Sequence, residues 1–517
     1  MNNIYIKAGV GKADITCREN GFWKNLLSKK VKKHIPPAYL EREVVIDDPL
    51  FVRALVLDDG STQVAILTMD VTAIGARTIS QDILSDSSDD FMPNLRKRIE
   101  QELGIAGANV SVCASHTHQV PRLLCDDNAQ IEKALEAIKQ AMDNLEPVTI
   151  GTGSGYEDSL TLNRTMQMKD GTDYTLRSCN PPPEDKDVEG LRPIDPEIGI
   201  FRIDRMDNSP KAVVYDFACH LLLGSPKGNS GHITADHVGA TLKYLEESIG
   251  GGVMAFFLQG AGGDIAEKCK CDIDYPWSAK DFGVKLGESV LESYRTIKPD
   301  HGVNLKVVTK NIAFPFRTDI SEVIAALKQE QAKMMASLRY TSLNFKAFLP
   351  LYFKYSLHSE YPSHWAYRYM QADACENSGF RVMDDRNKVA VEKYLNSIRK
   401  MERMARNEEK IATLAKHQEI IDEIGTPTVP AEIKGIRIGE SVLIITPMEV
   451  LAEIGFNVKN ASPFKHTYIA SISNGYLHYS PPASYYPLGG YEVTECLLAP
   501  EWEKIFMDTV KKIFNEL

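Results

Sequence analysis

The stretch Val110-Ser111-Val112-Cys113-Ala114-Ser115-His116-Thr117-His118 sets a short apolar run directly against two histidines. A brief run rich in β-branched residues, ended by a polar turn, predicts a strand buried on both faces. The same order recurs along the chain. Val64–Met69 runs into Asp70, and Ala212–Cys219 runs into His220. Val253–Leu258 runs into Gln259-Gly260-Ala261-Gly262-Gly263-Asp264, and Val442–Ile445 into Thr446-Pro447-Met448-Glu449. Continuous rather than alternating apolar runs predict sheets covered by helices, hence a mixed α/β fold. In such sheets chemistry gathers at the carboxyl ends of strands. Histidines and carboxylates at these ends point to one shared site.

Helices fall between and after these strands. Asp236–Ile249 carries apolar residues at Val238, Leu242, Leu245 and Ile249, then meets Gly250-Gly251-Gly252, a stop signal. Residues 318–425 differ from their surroundings. Helical patterns cover about 320–340 and 388–424, the second with Val391, Leu395, Ile398, Met401, Met404, Ile411, Leu414 and Ile421 on one face. Asn407 marks a point for a break, and Gly425 before Pro427 ends the pattern. Between them lies an aromatic-rich stretch, Tyr340 to Tyr369. The segment reads as a helical insertion or lid within one catalytic domain covering 1–517. No sequence repeat or low-complexity linker is visible.

Composition bounds the function. The chain has 517 residues, 43% hydrophobic and 25% charged, which excludes disordered, collagenous and coiled-coil classes. A formal charge of −11 and an isoelectric point of about 5.7 argue against a nucleic-acid partner. No stretch approaches the roughly 20 apolar residues of a transmembrane helix. The start, MNNIYIKAGVGKADIT, lacks the basic and apolar regions of an export signal. The nine cysteines are scattered and odd in number, so reduced thiols and a cytoplasmic location are expected. Lys24, Lys29, Lys30, Lys32 and Lys33 form a basic run that reads as solvated surface. Cys269-Lys270-Cys271 lacks the second cysteine pair of a structural zinc site.

His116 and His118 stand two apart, and in a strand such residues share a face. Two imidazoles so placed can address one metal, or one can bind metal while the other moves a proton. Alone, His220 would read as a core histidine and Glu449 as a carboxylate at a helix N-terminus. With the His-x-His pair they supply the three or four N/O ligands of a zinc hydrolytic site. The glycine-rich turn lacks dinucleotide-binding spacing and has no Gly-Lys-Ser/Thr. Its glycines, Gly260 among them, would let backbone N–H groups approach a substrate or an oxyanion. No cysteine occupies a proposed ligand position, so the site should be nitrogen and oxygen alone.

Several segments together resemble the neutral/alkaline (non-lysosomal) ceramidases and their bacterial ceramidase-like relatives. They are Ala8–Thr16, Ala114–His118, Asn163-Arg164, Ile194–Gly199, Ala218-Cys219-His220, Ile233–Asp236, Phe257–Ile265, Pro447-Met448-Glu449 and Ser473-Asn474-Gly475-Tyr476 through Gly489–Glu492. They occur in the family's order across nearly the whole chain. The resemblance implies a large catalytic domain with zinc held by His116, His220, Glu449 and Tyr491. It implies proton transfer by His118 and oxyanion stabilisation by Arg164. Asp236 and Asp264 are candidates to orient a ligand histidine, with Asn163 and Gly260 beside them or the substrate. Ala266 stands where many ceramidases carry a serine after the Gly-Asp, and the family's export signal and C-terminal β-sandwich domain are not seen. The expectation is a Zn2+-dependent amidase cleaving an N-acyl, ceramide-like amide with a metal-activated water. The alternatives are a zinc hydrolase of a soluble polar conjugate, an ester or glycoside, or a non-catalytic metal-stabilised binding protein. The substrate is a small or lipid-like molecule. Tyr340–Tyr369 and Tyr476–Tyr491 would line a lipid channel, stack on sugars or form core.

Overall fold

Three successive parts of the chain build one order of elements: three antiparallel strands, a crossover helix, a strand parallel to the third, and a closing helix. In the first, strands Lys7–Asp14, Phe51–Asp58 and Gln63–Met69 are followed by helix Phe91–Leu103, strand Val110–Ala114 and helix Asp127–Asp143. The second has strands Glu146–Tyr156, Glu197–Arg205 and Pro210–Phe217, helix Asp236–Ile249, strand Met254–Gln259 and helix Ala279–Thr296. The third has strands Leu305–Pro315, Thr428–Ile438 and Ser441–Ile445, helix Ala452–Ala461, strand His466–Ala470 and helix Trp502–Glu516. The repetition is topological. It needs apolar strands and amphipathic helices in order, not matching residues, so the sequence does not display it. The computed structural model describes residues 6–16, 45–75, 87–119, 127–176, 183–224, 232–268, 278–301, 303–363 and 365–517. The lysine run and Cys269-Lys270-Cys271 lie outside the described residues.

The first two parts join through Lys7 opposite Pro147 and Ala8 opposite Glu146, giving an eight-stranded sheet; the third forms a four-stranded sheet. The two sheets pack face to face. Leu55, Ile66, Phe201, Val214 and Leu258 of the larger share one core with Ile436, Leu443, Ile445 and Tyr468 of the smaller. Helices cover the outer faces. Leu95, Ile99, Leu135 and Ile138 pack on the first part, and Leu242, Leu245, Phe282 and Leu286 on the second. Ile454, Val458, Trp502 and Phe506 cover the smaller sheet. The fold is mixed α/β, as expected, in four layers: helix, sheet, sheet, helix. Its strands are buried on both faces, but one face meets a second sheet rather than helices. The sheets are mostly antiparallel, and in each part the parallel pair is the last strand and its neighbour.

Residues 318–419 form a separate compact unit. Its helices are Ile320–Ser337, Phe345–Leu357, Ala366–Ala374 and Gly379–Ile424, the last running on beyond the unit. The last helix is continuous through Asn407, whose side chain donates to Glu330 at 2.9 Å, so the expected break is absent. Gly425, with φ 69°, ends it. Asp384 anchors the unit's small core, accepting from the hydroxyls of Tyr369 (2.7 Å) and Tyr355 (2.9 Å). Phe348 and Tyr369 are buried there, whereas Tyr340, Phe345, Phe353, Trp365 and Tyr367 are exposed. No helix among the described residues is long and apolar enough to cross a membrane.

Candidate metal centre

The carboxyl ends of the parallel strand pairs supply the site. Bridges Thr117–Leu221 and Cys113–Ser473 tie the ends of the three parts together. His116 lies just past strand Val110–Ala114 with φ 69°. That left-handed backbone costs about 1–2 kcal/mol for a residue with a Cβ. It is held by His116 N–H donating to Val71 O (2.9 Å) and by ring Nδ1 against Thr72 O (2.7 Å). His116 and His118 therefore converge through a turn, not through the pleat of a strand; their Nε2 atoms are 3.2 Å apart. His116 is buried and His118 partly exposed.

His220 follows strand Pro210–Phe217, its N–H donating to Ile265 O (3.0 Å). Its ring Nδ1 faces the carbonyls of Gly262 (2.8 Å) and Ile265 (3.0 Å). A carbonyl only accepts, so Nδ1 carries the proton in both His116 and His220, and Nε2 presents a lone pair. Burial first, then Arg164, pushes the His220 pKa down to about 4. Backbone carbonyls thus orient both imidazoles. Asp236 instead accepts from the N–H groups of Gly224 (2.8 Å) and His237 (2.6 Å), and Asp264 from Asn163 Nδ2 (2.6 Å) and Ala452 N–H (2.9 Å). Asp264 holds the chain three residues beyond Glu449.

Glu449 lies in a two-residue strand paired with Tyr479–Ser480. The hydroxyl of Tyr476 donates to its Oε1. Buried Oε2 has no hydrogen-bond partner, and Nε2 of His116 and of His220 stand 3.4 and 3.5 Å from it. The Tyr479 hydroxyl lies 3.3 Å from Nε2 of His220. Tyr491 packs its ring on Tyr479, centroids 5.6 Å apart.

Arg164 braces the tyrosines. Its Nε donates to Glu492 (2.8 Å), and its Nη2 to Gly263 O (2.9 Å) and the Tyr479 hydroxyl (3.0 Å). Its guanidinium stands over the Tyr491 ring, 5.5 Å from the centroid. The glycines of the glycine-rich turn do not offer their N–H groups to a ligand. Gly260 donates to Phe217 O, Gly262 to Gly260 O and Gly263 to Val450 O. Its glycines serve close approach. A Cβ on Gly262 would meet Cys219 N at 2.9 Å, and one on Gly263 the Glu449 carbonyl at 2.9 Å. Asp70 does not join the site; its carboxylate accepts from Phe51 N–H (2.8 Å) and Arg53 (3.4 Å).

No family model matches the sequence, and no curated protein matches it. Among solved structures, the neutral ceramidase from Pseudomonas aeruginosa superposes with a TM-score of 0.60 at 15% identity, covering 100% of this chain and 75% of its own. A ceramidase complexed with C2 does so with a TM-score of 0.59 at 15% identity, covering 99% of this chain and 76% of its own. The fold is that of the neutral ceramidases. Within this neutral-ceramidase fold, candidate ligand atoms of His116, His118 and His220 all lie within 4.8 Å of one another. Sequence reasoning did not single out Tyr479, or Glu492 as the partner of Arg164. A signal was present. His466–Ala470 is another short strand, the last of the third part, and the chain beyond it carries Tyr476 and Tyr479.

Proposed function

We propose that the chain is a zinc-dependent hydrolase that cleaves an N-acyl, ceramide-like amide. The observation that carries the reading is the buried, unpartnered Oε2 of Glu449 facing Nε2 of His116 and His220. A buried carboxylate oxygen without a donor is costly, and a cation would satisfy it. His116, His220 and Glu449, with the hydroxyl of Tyr479 rather than Tyr491, would hold the ion. Two nitrogens and two oxygens suit zinc. Bound there, zinc would acidify a water and polarise a carbonyl.

The chain's own groups supply the rest. His118, beside His116 and partly exposed, takes the proton from the attacking water and returns it to the departing amine. Arg164 Nη1, with no partner among the described residues, is available to a developing oxyanion. Ala266 is buried in strand Ile265–Glu267 and offers no hydroxyl nucleophile, which favours attack by water. The fold shared with two ceramidases supports the amide assignment.

The test is hydrolysis of an N-acylsphingosine, an acyl ester and a glycoside by purified protein of measured zinc content. Cleavage of the amide should stop on chelation, return with zinc, and be absent in His220→Ala. Amide cleavage that survives complete metal removal would overturn the metal's role. Cleavage of the ester or glycoside without the amide would overturn the bond assignment.

A further inference from the structure

A second enclosed cluster lies beside the first. Cys219 immediately precedes His220, His237 sits in the first turn of helix Asp236–Ile249, and Glu267 ends strand Ile265–Glu267. All three are fully buried, at 0% exposure. One ligand-capable atom from each lies within 4.8 Å of the other two. We infer that Cys219, His237 and Glu267 form a second metal site, a thiolate-bearing one for a zinc-class divalent cation.

The donor set carries the assignment. A sulfur, an imidazole nitrogen and a carboxylate oxygen are the ligand types of zinc, and the sulfur selects against magnesium or calcium. His237 has the anchoring expected of a ligand imidazole. Its Nε2 stands 3.2 Å from the carbonyl of His220, while its Nδ1 is buried without a partner. One nitrogen held by a carbonyl and the other left open is the same arrangement as at His116 and His220. Its ring is wedged against Phe282, centroids 4.5 Å apart, so it cannot swing to solvent.

Cys219 Sγ also lies 3.2 Å from the carbonyl of His220. That oxygen therefore orients the ring through Nε2 and leaves Nδ1 as the atom that would meet the ion. Glu267 is oriented by the N–H of Leu222, which donates to Oε1 at 2.5 Å. Enclosing a thiol, an imidazole and a carboxyl together away from water is expensive unless a cation joins them. An ion here would tie three elements together beside His220: the end of strand Pro210–Phe217, the start of helix Asp236–Ile249 and strand Ile265–Glu267. Its role would be to stiffen the segment that presents His220, with no part in bond cleavage.

The proposal stands apart from the nitrogen–oxygen centre, and one measurement separates them. Metal-free full-length protein is titrated with cobalt(II) and followed by near-ultraviolet absorption, where a thiolate bound to cobalt gives a charge-transfer band that nitrogen and oxygen ligands do not. Two equivalents should bind, with the band present. Cys219→Ser should lose the band and one equivalent. His116→Ala should lose the other equivalent and keep the band. Circular dichroism establishes that each variant is folded. Should Cys219→Ser fail to fold, the wild-type and His116→Ala spectra decide alone. Absence of the band in wild type, its survival in folded Cys219→Ser, or its loss in folded His116→Ala would each overturn the site.

Discussion

The hydroxyl of Tyr476 donates to Oε1 of Glu449 and leaves Oε2 turned toward His116, 3.4 Å from its Nε2. The tyrosine thus fixes which carboxylate oxygen faces the imidazoles. Removing such an outer partner typically costs 10–100-fold in metal affinity. Tyr476→Phe should weaken zinc binding by about that factor, measured by competition with a chromophoric chelator, and excess zinc should restore turnover. Unchanged affinity would mean that packing alone orients Glu449.

Tyr479 and Tyr491 can be told apart by substitution. The Tyr479 hydroxyl lies 3.3 Å from His220 Nε2, and Arg164 Nη2 stands 3.0 Å from the same oxygen. Tyr479→Phe should lower zinc content and kcat together. Tyr491→Phe should keep full zinc, because its ring contact with Tyr479 survives loss of the hydroxyl. The opposite pattern of zinc content would return the ligand role to Tyr491.

Much of this arrangement is legible from residues alone. Short apolar runs announced the strands because a strand buried on both faces is mostly apolar, with few polar side chains such as Ser111 and Asp216 within it. Helix Asp236–Ile249 begins and ends where its apolar spacing and the following glycines place it. What covers each face is not written locally. A run such as Val442–Ile445 reads the same whether a helix or a second sheet lies above it. Tyr479 was hidden for a different reason. It lies well past strand His466–Ala470, and the intervening chain turns through positive φ at Ile472, Asn474 and His478. These are residues with side chains, so no glycine pattern marks the turns. Asp70 shows the converse: a carboxylate at a strand end that an arginine, Arg53, has already claimed.

Acid should stabilise one part of the fold. Burial first, opposed by bonds from Thr234 and Ala235, raises the Asp48 pKa from 3.8 to about 6. Between those values the folded state binds more protons than the unfolded one, so this group's contribution to stability falls as pH rises. Its cost is fully present above the folded value. Asn at this position keeps an acceptor for the Ala235 N–H, now 2.8 Å from Asp48 Oδ1, and carries no charge. Asp48→Asn should therefore gain stability over wild type between pH 4 and pH 7, by up to about 3 kcal/mol. Urea unfolding at the two pH values measures it, and an equal difference at both would refute the assignment.

Gly263 tests whether the turn and Glu449 are mechanically linked. A Cβ there would sit 2.9 Å from the Glu449 carbonyl oxygen and 3.1 Å from that of Val450. Both are backbone atoms of the short strand Glu449–Val450, so neither can move without moving Glu449. Overpacking of this kind costs roughly 1–3 kcal/mol. Gly263→Ala should lower the thermal midpoint and, unlike an ordinary destabilising change, weaken zinc binding in the folded protein as well. Gly190→Ala is the control, since its nearest neighbour is the flexible Gln167 side chain at 3.9 Å. Both variants carry the same added methyl group, so a difference between them reports the site and not the substitution. If Gly263→Ala loses stability yet binds zinc as tightly as wild type, the turn supports the fold without setting the position of Glu449.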